Sequence, residues 1–132
     1  MPGATFLGHL NGEGLSRALA SIDVFVHTGA DETFCQSLQE ALASGVPVVA
    51  PASGGPLDLV RHGENGWLYP PGKPELLASA VEALVASPLL RRAMADRARA
   101  SVSRRTWEVL GHELIDHYRS VVDGPFPIER VA

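Results

Sequence analysis

The sequence predicts an α/β fold, a parallel sheet with helices on both faces followed by a helical C-terminal third. Three observations carry this. Short apolar runs rich in β-branched and aromatic residues alternate with segments of helical spacing. Glycine and proline punctuate them at Gly45, at the Ser53-to-Pro56 turn and at Pro70, Pro71 and Pro74. From residue 74 onward the apolar residues fall into stripes at spacings of three and four. Repeated strand–helix–strand order implies parallel strands with right-handed crossovers.

The elements follow in order. "ATFLGHL", residues 4–10, reads as a strand. Residues 13–21 place Leu15 and Leu19 at helical spacing, with Ile22 just beyond. "DVFVHT" reads as a buried strand and "GADETF" as a loop. Residues 35–44 read as a helix with Gly45 as its stop. "VPVVAP" is the next strand and "SGGP" a turn. Pro56 suits the first position of a short helix reaching about Arg61. "HGENG" is a turn and "GWLYP" the last strand. Leu76, Leu77, Ala80, Val81, Leu84 and Val85 form one helical stripe. Leu89, Leu90, Ala93 and Met94 begin a second, and Trp107, Leu110, Leu114, Tyr118, Val121 and Val122 form a third. These stripes are packing surfaces in the simplest reading. The tail, residues 123–132, has no periodicity and is expected to be loose.

Composition bounds the function. The chain has 132 residues, enough for one domain with a core. Its net charge of −4 gives no general reason to expect nucleic acid. A single cysteine, Cys35, excludes an internal disulfide and fits a reducing, cytoplasmic setting. No apolar run approaches the roughly 20 residues of a membrane span. The start lacks the basic-then-apolar pattern of a signal peptide. The six arginines at 91, 92, 97, 99, 104 and 105 allow two readings. They form a solvated helix face, or they contact an anionic membrane at the cytoplasmic side.

In a doubly covered parallel sheet, ligands bind at the carboxyl ends of the strands. The loops expected there are "HLNGEG", "HTGADETF" and "PASGGP". Glu32 lies in the second, and Glu40 lies in the helix that follows, with seven residues between them. Gln36, Ser37 and Glu40 share one helix face, and Leu38, Ala41 and Leu42 share the face toward the sheet. The first helical turn offers free N–H groups and the positive end of the helix dipole to an anion. Carboxylates on either side of an anion site suit a ligand with hydroxyls at both ends and phosphates between, such as a nucleotide sugar. Spacing alone leaves the other reading open, in which both glutamates are solvated surface charge. His27 closes a central strand near this crevice. His62, His112 and His117 read as surface or packing residues, and no metal-binding spacing occurs.

The residues around the pair are more specific than the pair. "IDVFVHTGADETFCQSLQEALASGVPVVAPASGGPLDLVRHGENGWLYPPG" resembles the C-terminal, donor-binding domain of the retaining GT-B glycosyltransferases of family four, the group 1 glycosyltransferases. The resemblance runs from about Thr5 to Val122. The variant "HTG…ETFCQ…QEALASG" is similar to actinobacterial GDP-mannose-dependent α-mannosyltransferases that build glycolipids.

The resemblance implies a Rossmann-like sheet and transfer of a hexose, mannose from GDP-mannose in the narrower match, to an acceptor hydroxyl with retention. Glu32 matches the glutamate on the donor-sugar hydroxyls and is the catalytic-site residue. It orients the sugar and does not attack it. Phe34 and Cys35 match where backbone N–H groups approach the sugar, and Gln36 and Ser37 match the helix start on the diphosphate. Glu40 matches the ribose glutamate. His9 and Leu10 match the nucleobase loop, and Gly54 and Gly55 line the same crevice. Many members carry glycine where this chain has Cys35, whose side chain would narrow the sugar pocket or shift the turn; the other reading is an inert thiol.

Neither a metal nor another cofactor is expected. The family's domain begins with a further strand–helix unit carrying Arg and Lys for the diphosphate, and its acceptor site lies in an N-terminal domain. The chain is therefore expected to be a fragment, inactive alone, with residues 106–122 returning to the absent domain. The alternative is a non-catalytic binding or assembly module completed by a second chain.

Overall fold

The structure, a computed structural model, describes residues 3–123. The chain divides into two compact units, with the break between Val102 and Ser103. The first unit contains a parallel sheet of three strands, β1 (Phe25–Val26), β2 (Val48–Pro51) and β3 (Gly66–Tyr69), in the order β1-β2-β3. Phe25 stands opposite Val48, and Val49 opposite Trp67. Its helices are α1 (Gly12–Ala20), α2 (Gln36–Ala43), α3 (Pro56–Leu59), α4 (Pro74–Ala86) and α5 (Pro88–Val102). The second unit contains α6 (Trp107–Asp123).

Alternation along the central strand builds both layers. All four residues of β2 are buried. Val48 and Ala50 face a cluster formed with Leu38, Ala41 and Leu42 of α2 and Leu59 of α3, which Leu19 and Phe25 edge. Val49 points the other way, to Tyr69, Ala80 and Leu84 of α4 and Met94 of α5. The period of two thus places helices on both faces. Helix α5 serves both layers, since Ala98 joins the first cluster and Met94 the second. Leu38, Leu42 and Leu84 are 0% exposed. Burial of each contributes about 1.5–3 kcal/mol.

Two polar residues tie these layers. Asn65 is 1% exposed. Its Oδ1 accepts from the Arg61 N–H at 2.8 Å, and its Nδ2 donates to the Leu59 carbonyl and Ser101 Oγ, both at 3.0 Å. Arg91 donates to the carbonyls of Leu84 at 2.7 Å and Val85 at 2.8 Å and pairs with Asp23 at 3.4 Å. It thereby adds a donor to two carbonyls at the end of α4, of which Leu84's also accepts the Ser87 N–H at 3.3 Å.

The structure differs from expectation in several places. Residues 4–10 form no strand, and Phe6 is 94% exposed. A parallel strand exists only by hydrogen bonding to a neighbour, and no described strand pairs with this segment. Helix α1 forms as expected but buries no residue fully. Helix α3 ends at Leu59 because Val60 turns extended (φ −101°, ψ 118°). Asn65 then holds the Arg61 N–H. In the second unit α6 forms over the third apolar stripe and contains no buried residue. Residues 124–132 of the expected loose tail lie outside the described residues.

Candidate functional site

Three parallel strands end on one edge, and two chain segments meet there. The loop 27–35 leaves β1, and the turn 52–55 leaves β2. The Gly55 N–H donates to the Glu32 carbonyl at 2.7 Å. Both glycines are demanded by this approach. A Cβ on Gly54 would stand 2.5 Å from the Glu32 carbonyl oxygen, and Gly54 has φ +57°. A Cβ on Gly55 would collide with the Thr33 carbonyl and lie 3.2 Å from Cys35 Sγ. Gly54 and Gly55 therefore act through backbone proximity to the glutamate loop.

Cys35 is the N-cap of α2 and lies in the left-handed region (φ 51°, ψ 52°). Among the described residues it is the only non-glycine with positive φ. That conformation favours glycine. Its side chain is 2% exposed and joins the core cluster with Leu38 and Leu42. It turns inward against Gly55, where it can set the turn. Burial pushes the thiol above its ordinary value, and the nearby Glu32 carboxylate adds to this. A raised thiol is a poor nucleophile at neutral pH.

The start of α2 is open. The Cys35 carbonyl accepts from the N–H groups of Leu38 and Gln39, both at 3.1 Å. Among the described residues no side chain caps the helix, and its first turn holds no acidic residue. The N–H groups of Gln36 and Ser37 thus have no acceptor within the helix and point outward with the dipole. Gln39 Nε2 donates to the Phe34 carbonyl at 2.8 Å and steadies the loop. Phe34 is 44% exposed beside this start.

Glu40 lies about one turn deeper and is half-buried. Its Oε1 accepts from Gln36 Nε2 at 3.1 Å. Glu40 lines a groove of about 370 Å³ with Gly12, Leu15, Ser16 and Leu19 of α1 and with Ala43 and Ser44. The α1 residues recur at offsets of three, four and seven, the signal by which sequence reasoning could have found this wall. His9 and Leu10 lie on the segment entering α1, and neither lines the groove.

Glu32 is exposed as a residue, yet its Cγ would lie 3.0 Å from a Cβ built on Gly29, and His27 Nε2 would lie 3.1 Å from the same point. The strand ladder continues into this loop, since the His27 N–H donates to the Val49 carbonyl at 2.8 Å. The structure thus brings Glu32, Cys35, Gly54 and Gly55 together, opens α2 at Gln36 and Ser37, and sets Glu40 in a separate groove. Of the arginine stretch, Arg91 is held by α4 and Asp23, and Arg99 donates to the Ser44 carbonyl at 3.3 Å. Among the described residues no helix is long and apolar enough to cross a membrane.

Comparison with known proteins bears on this arrangement. The GDP-mannose-dependent alpha-mannosyltransferase of Mycolicibacterium smegmatis is 50% identical over 123 residues, 92% of this chain and 32% of that protein. Sucrose-phosphate synthase from Thermosynechococcus elongatus matches with a TM-score of 0.80 and 31% identity, over 90% of this chain and 30% of that one. HepE of Anabaena in complex with UDP and glucose matches with a TM-score of 0.78 and 29% identity, over 88% of this chain and 32% of that one. The chain spans about a third of the length of the curated relatives it matches. Residues 2–101, which contain the whole sheet edge and both glutamates, match the family described as Glycosyl transferases group 1, and the chain belongs to that family.

Proposed function

We propose that this chain is the nucleotide-sugar donor-binding part of a retaining glycosyltransferase that moves mannose from GDP-mannose to an acceptor hydroxyl, on a glycolipid. The observation that carries this is the bond from the Gly55 N–H to the Glu32 carbonyl. It fixes Glu32 on one side of the uncapped start of α2, while Glu40 occupies the groove against α1 on the other. The identity to a protein named a GDP-mannose-dependent alpha-mannosyltransferase supports the choice of base and sugar.

On this reading Glu32 accepts hydrogen bonds from sugar hydroxyls and orients the ring. The N–H groups of Gln36 and Ser37 meet the diphosphate, and Phe34 and Cys35 present backbone to the sugar. Glu40 accepts from the ribose hydroxyls, and His9 and Leu10 approach the base. The leaving diphosphate gains charge in the transition state, so stabilisation by fixed donors is the main contribution of this half. No metal or other cofactor is assigned to the step. A cytoplasmic setting, with the exposed Arg92 and Arg97 of α5 toward an anionic membrane, completes the proposal.

A helix start contributes about 0.3–2 kcal/mol toward an anion. That is small for a diphosphate, and the expected affinity of this chain alone for GDP or GDP-mannose is about millimolar or weaker, with little or no catalysis. Calorimetry and NMR are the tests: micromolar binding by calorimetry would show that a further basic segment is dispensable, and the absence of amide shifts at Gln36 and Ser37 with either ligand at millimolar concentration would remove the donor assignment. A second reading, a non-catalytic module completed by another chain, is favoured by the position of β1 at the edge of the sheet. A co-purifying chain that supplies an Arg- and Lys-bearing strand–helix unit would favour it.

A further inference from the structure

His27 has a fixed backbone and an unsatisfied ring. Its N–H donates to the Val49 carbonyl at 2.8 Å, and its own carbonyl accepts from the Tyr69 hydroxyl at 3.4 Å. Strands β2 and β3 thus hold it from one side. Yet its Nε2 is buried with no hydrogen-bond partner among the described residues. A buried polar atom left unpaired is disfavoured, and in native structures it calls for a specific reason.

The surroundings supply one. The Glu32 side chain lies over the same spot, because a single point above Gly29 is 3.0 Å from Glu32 Cγ and 3.1 Å from His27 Nε2. Gly29 keeps that space clear by having no side chain of its own. The nitrogen is closed to solvent, so the group placed to reach it is the Glu32 carboxylate, by rotation within its own side chain. An imidazole N–H and a carboxylate form a charge-assisted hydrogen bond, stronger than a neutral one.

We propose that His27 is a positioning residue for Glu32. With donor bound, Nε2–H donates to one oxygen of the Glu32 carboxylate and holds the other oxygen toward a sugar hydroxyl. Pinning the carboxylate in this way preorganises the sugar contact. The inference rests on the proposal that Glu32 meets the donor sugar, and it assigns the proton to Nε2 in the bound state.

The test uses the full chain labelled with ¹⁵N in histidine side chains and backbone, titrated with GDP and separately with GDP-mannose. The expected result is that Gln36 and Ser37 amides shift with both ligands, whereas the His27 Nε2 resonance moves with GDP-mannose only. Shifts at those amides without any His27 response to GDP-mannose overturn the His27 role and leave the donor reading standing. No amide shift with either ligand overturns the donor reading and this inference with it. Substitution adds a second readout. His27→Leu should weaken GDP-mannose about tenfold and leave GDP unchanged, and His27→Gln, which restores an N–H near the Nε2 position, should recover most of the loss. Equal loss in both variants, or equal loss for both ligands, overturns the proposal.

Discussion

Gly55 and Glu32 are joined backbone to backbone at 2.7 Å, across a stretch of sequence that holds all of α2 and β2. Because a Cβ at Gly55 would strike the Thr33 carbonyl, Gly55→Ala must push the loop and turn apart. The expected cost is about 2 kcal/mol or more. Gly54→Ala should cost a similar amount, from its φ of +57° and its approach to the Glu32 carbonyl. Urea denaturation of each variant measures this, and a change under about 0.5 kcal/mol, the size typical of surface substitutions, would contradict the packing argument.

Cys35 sets strain against burial. Its left-handed conformation costs about 1–2 kcal/mol for a residue with a Cβ. Cys35→Gly removes that strain and also the buried sulfur, and should lie within about 1 kcal/mol of the original stability. Cys35→Ala keeps the strain and loses packing. Cys35→Val adds a branched Cβ where φ is positive and should be the least stable. The order Gly, Ala, Val in falling stability is the expected outcome of thermal melts.

The same thiol gives a pH dependence of known sign. The ordinary value is 9.0, and in the folded chain burial, aided by Glu32, lifts it higher. Below 9.0 both states hold the proton and stability does not respond to this group. Between 9.0 and the folded value, unfolding releases a proton, so stability falls as pH rises. Cys35→Ala should flatten that part of the profile, which denaturation at a series of alkaline pH values will detect.

Glu40 in its groove against α1 tests the ribose assignment. Glu40→Gln should weaken GDP more than its 2′-deoxy counterpart, since the lost charge and second carboxylate oxygen matter only when the hydroxyl is present. Ligand-observed NMR with the two nucleotides reads the difference. Equal losses would remove Glu40 from the ribose.

Arg91 carries a structural prediction. Arg91→Ala removes two hydrogen bonds to the end of α4 and the pair with Asp23, and should destabilise by about 1–3 kcal/mol. Arg91→Lys should recover only part, because one ammonium replaces two nitrogens, Nη1 on both carbonyls and Nη2 on Asp23. Arg119, whose pair with Asp116 is exposed on α6, should be nearly silent when replaced.

Much of this was legible in the sequence, for physical reasons that differ by element. Leu38, Ala41 and Leu42 announce the buried face of α2 by their spacing, and Gly45 ends it with φ +74°. Val48 to Pro51 reads as a central strand because it is apolar throughout. "TFLGHL" also reads as a strand yet forms none, since pairing depends on a neighbour and not on Phe6 or Leu7. The approach of the Glu32 side chain to His27 over Gly29 was hidden for another reason. Periodicity places His27 at a strand end and Glu32 in the loop after it, but which side chain crosses Gly29 depends on torsions that spacing does not encode.

One consequence follows from the left-handed N-cap of α2. A capping side chain normally works from an extended residue, reaching forward to the next N–H groups. At Cys35 the backbone instead sends the side chain back into the core. Replacing Cys35 by Ser or Asp, a routine stabilising change at other helix starts, would therefore bury a polar atom and still leave the helix uncapped. The availability of those N–H groups is written into a backbone torsion, which side-chain mutation at this position cannot easily erase.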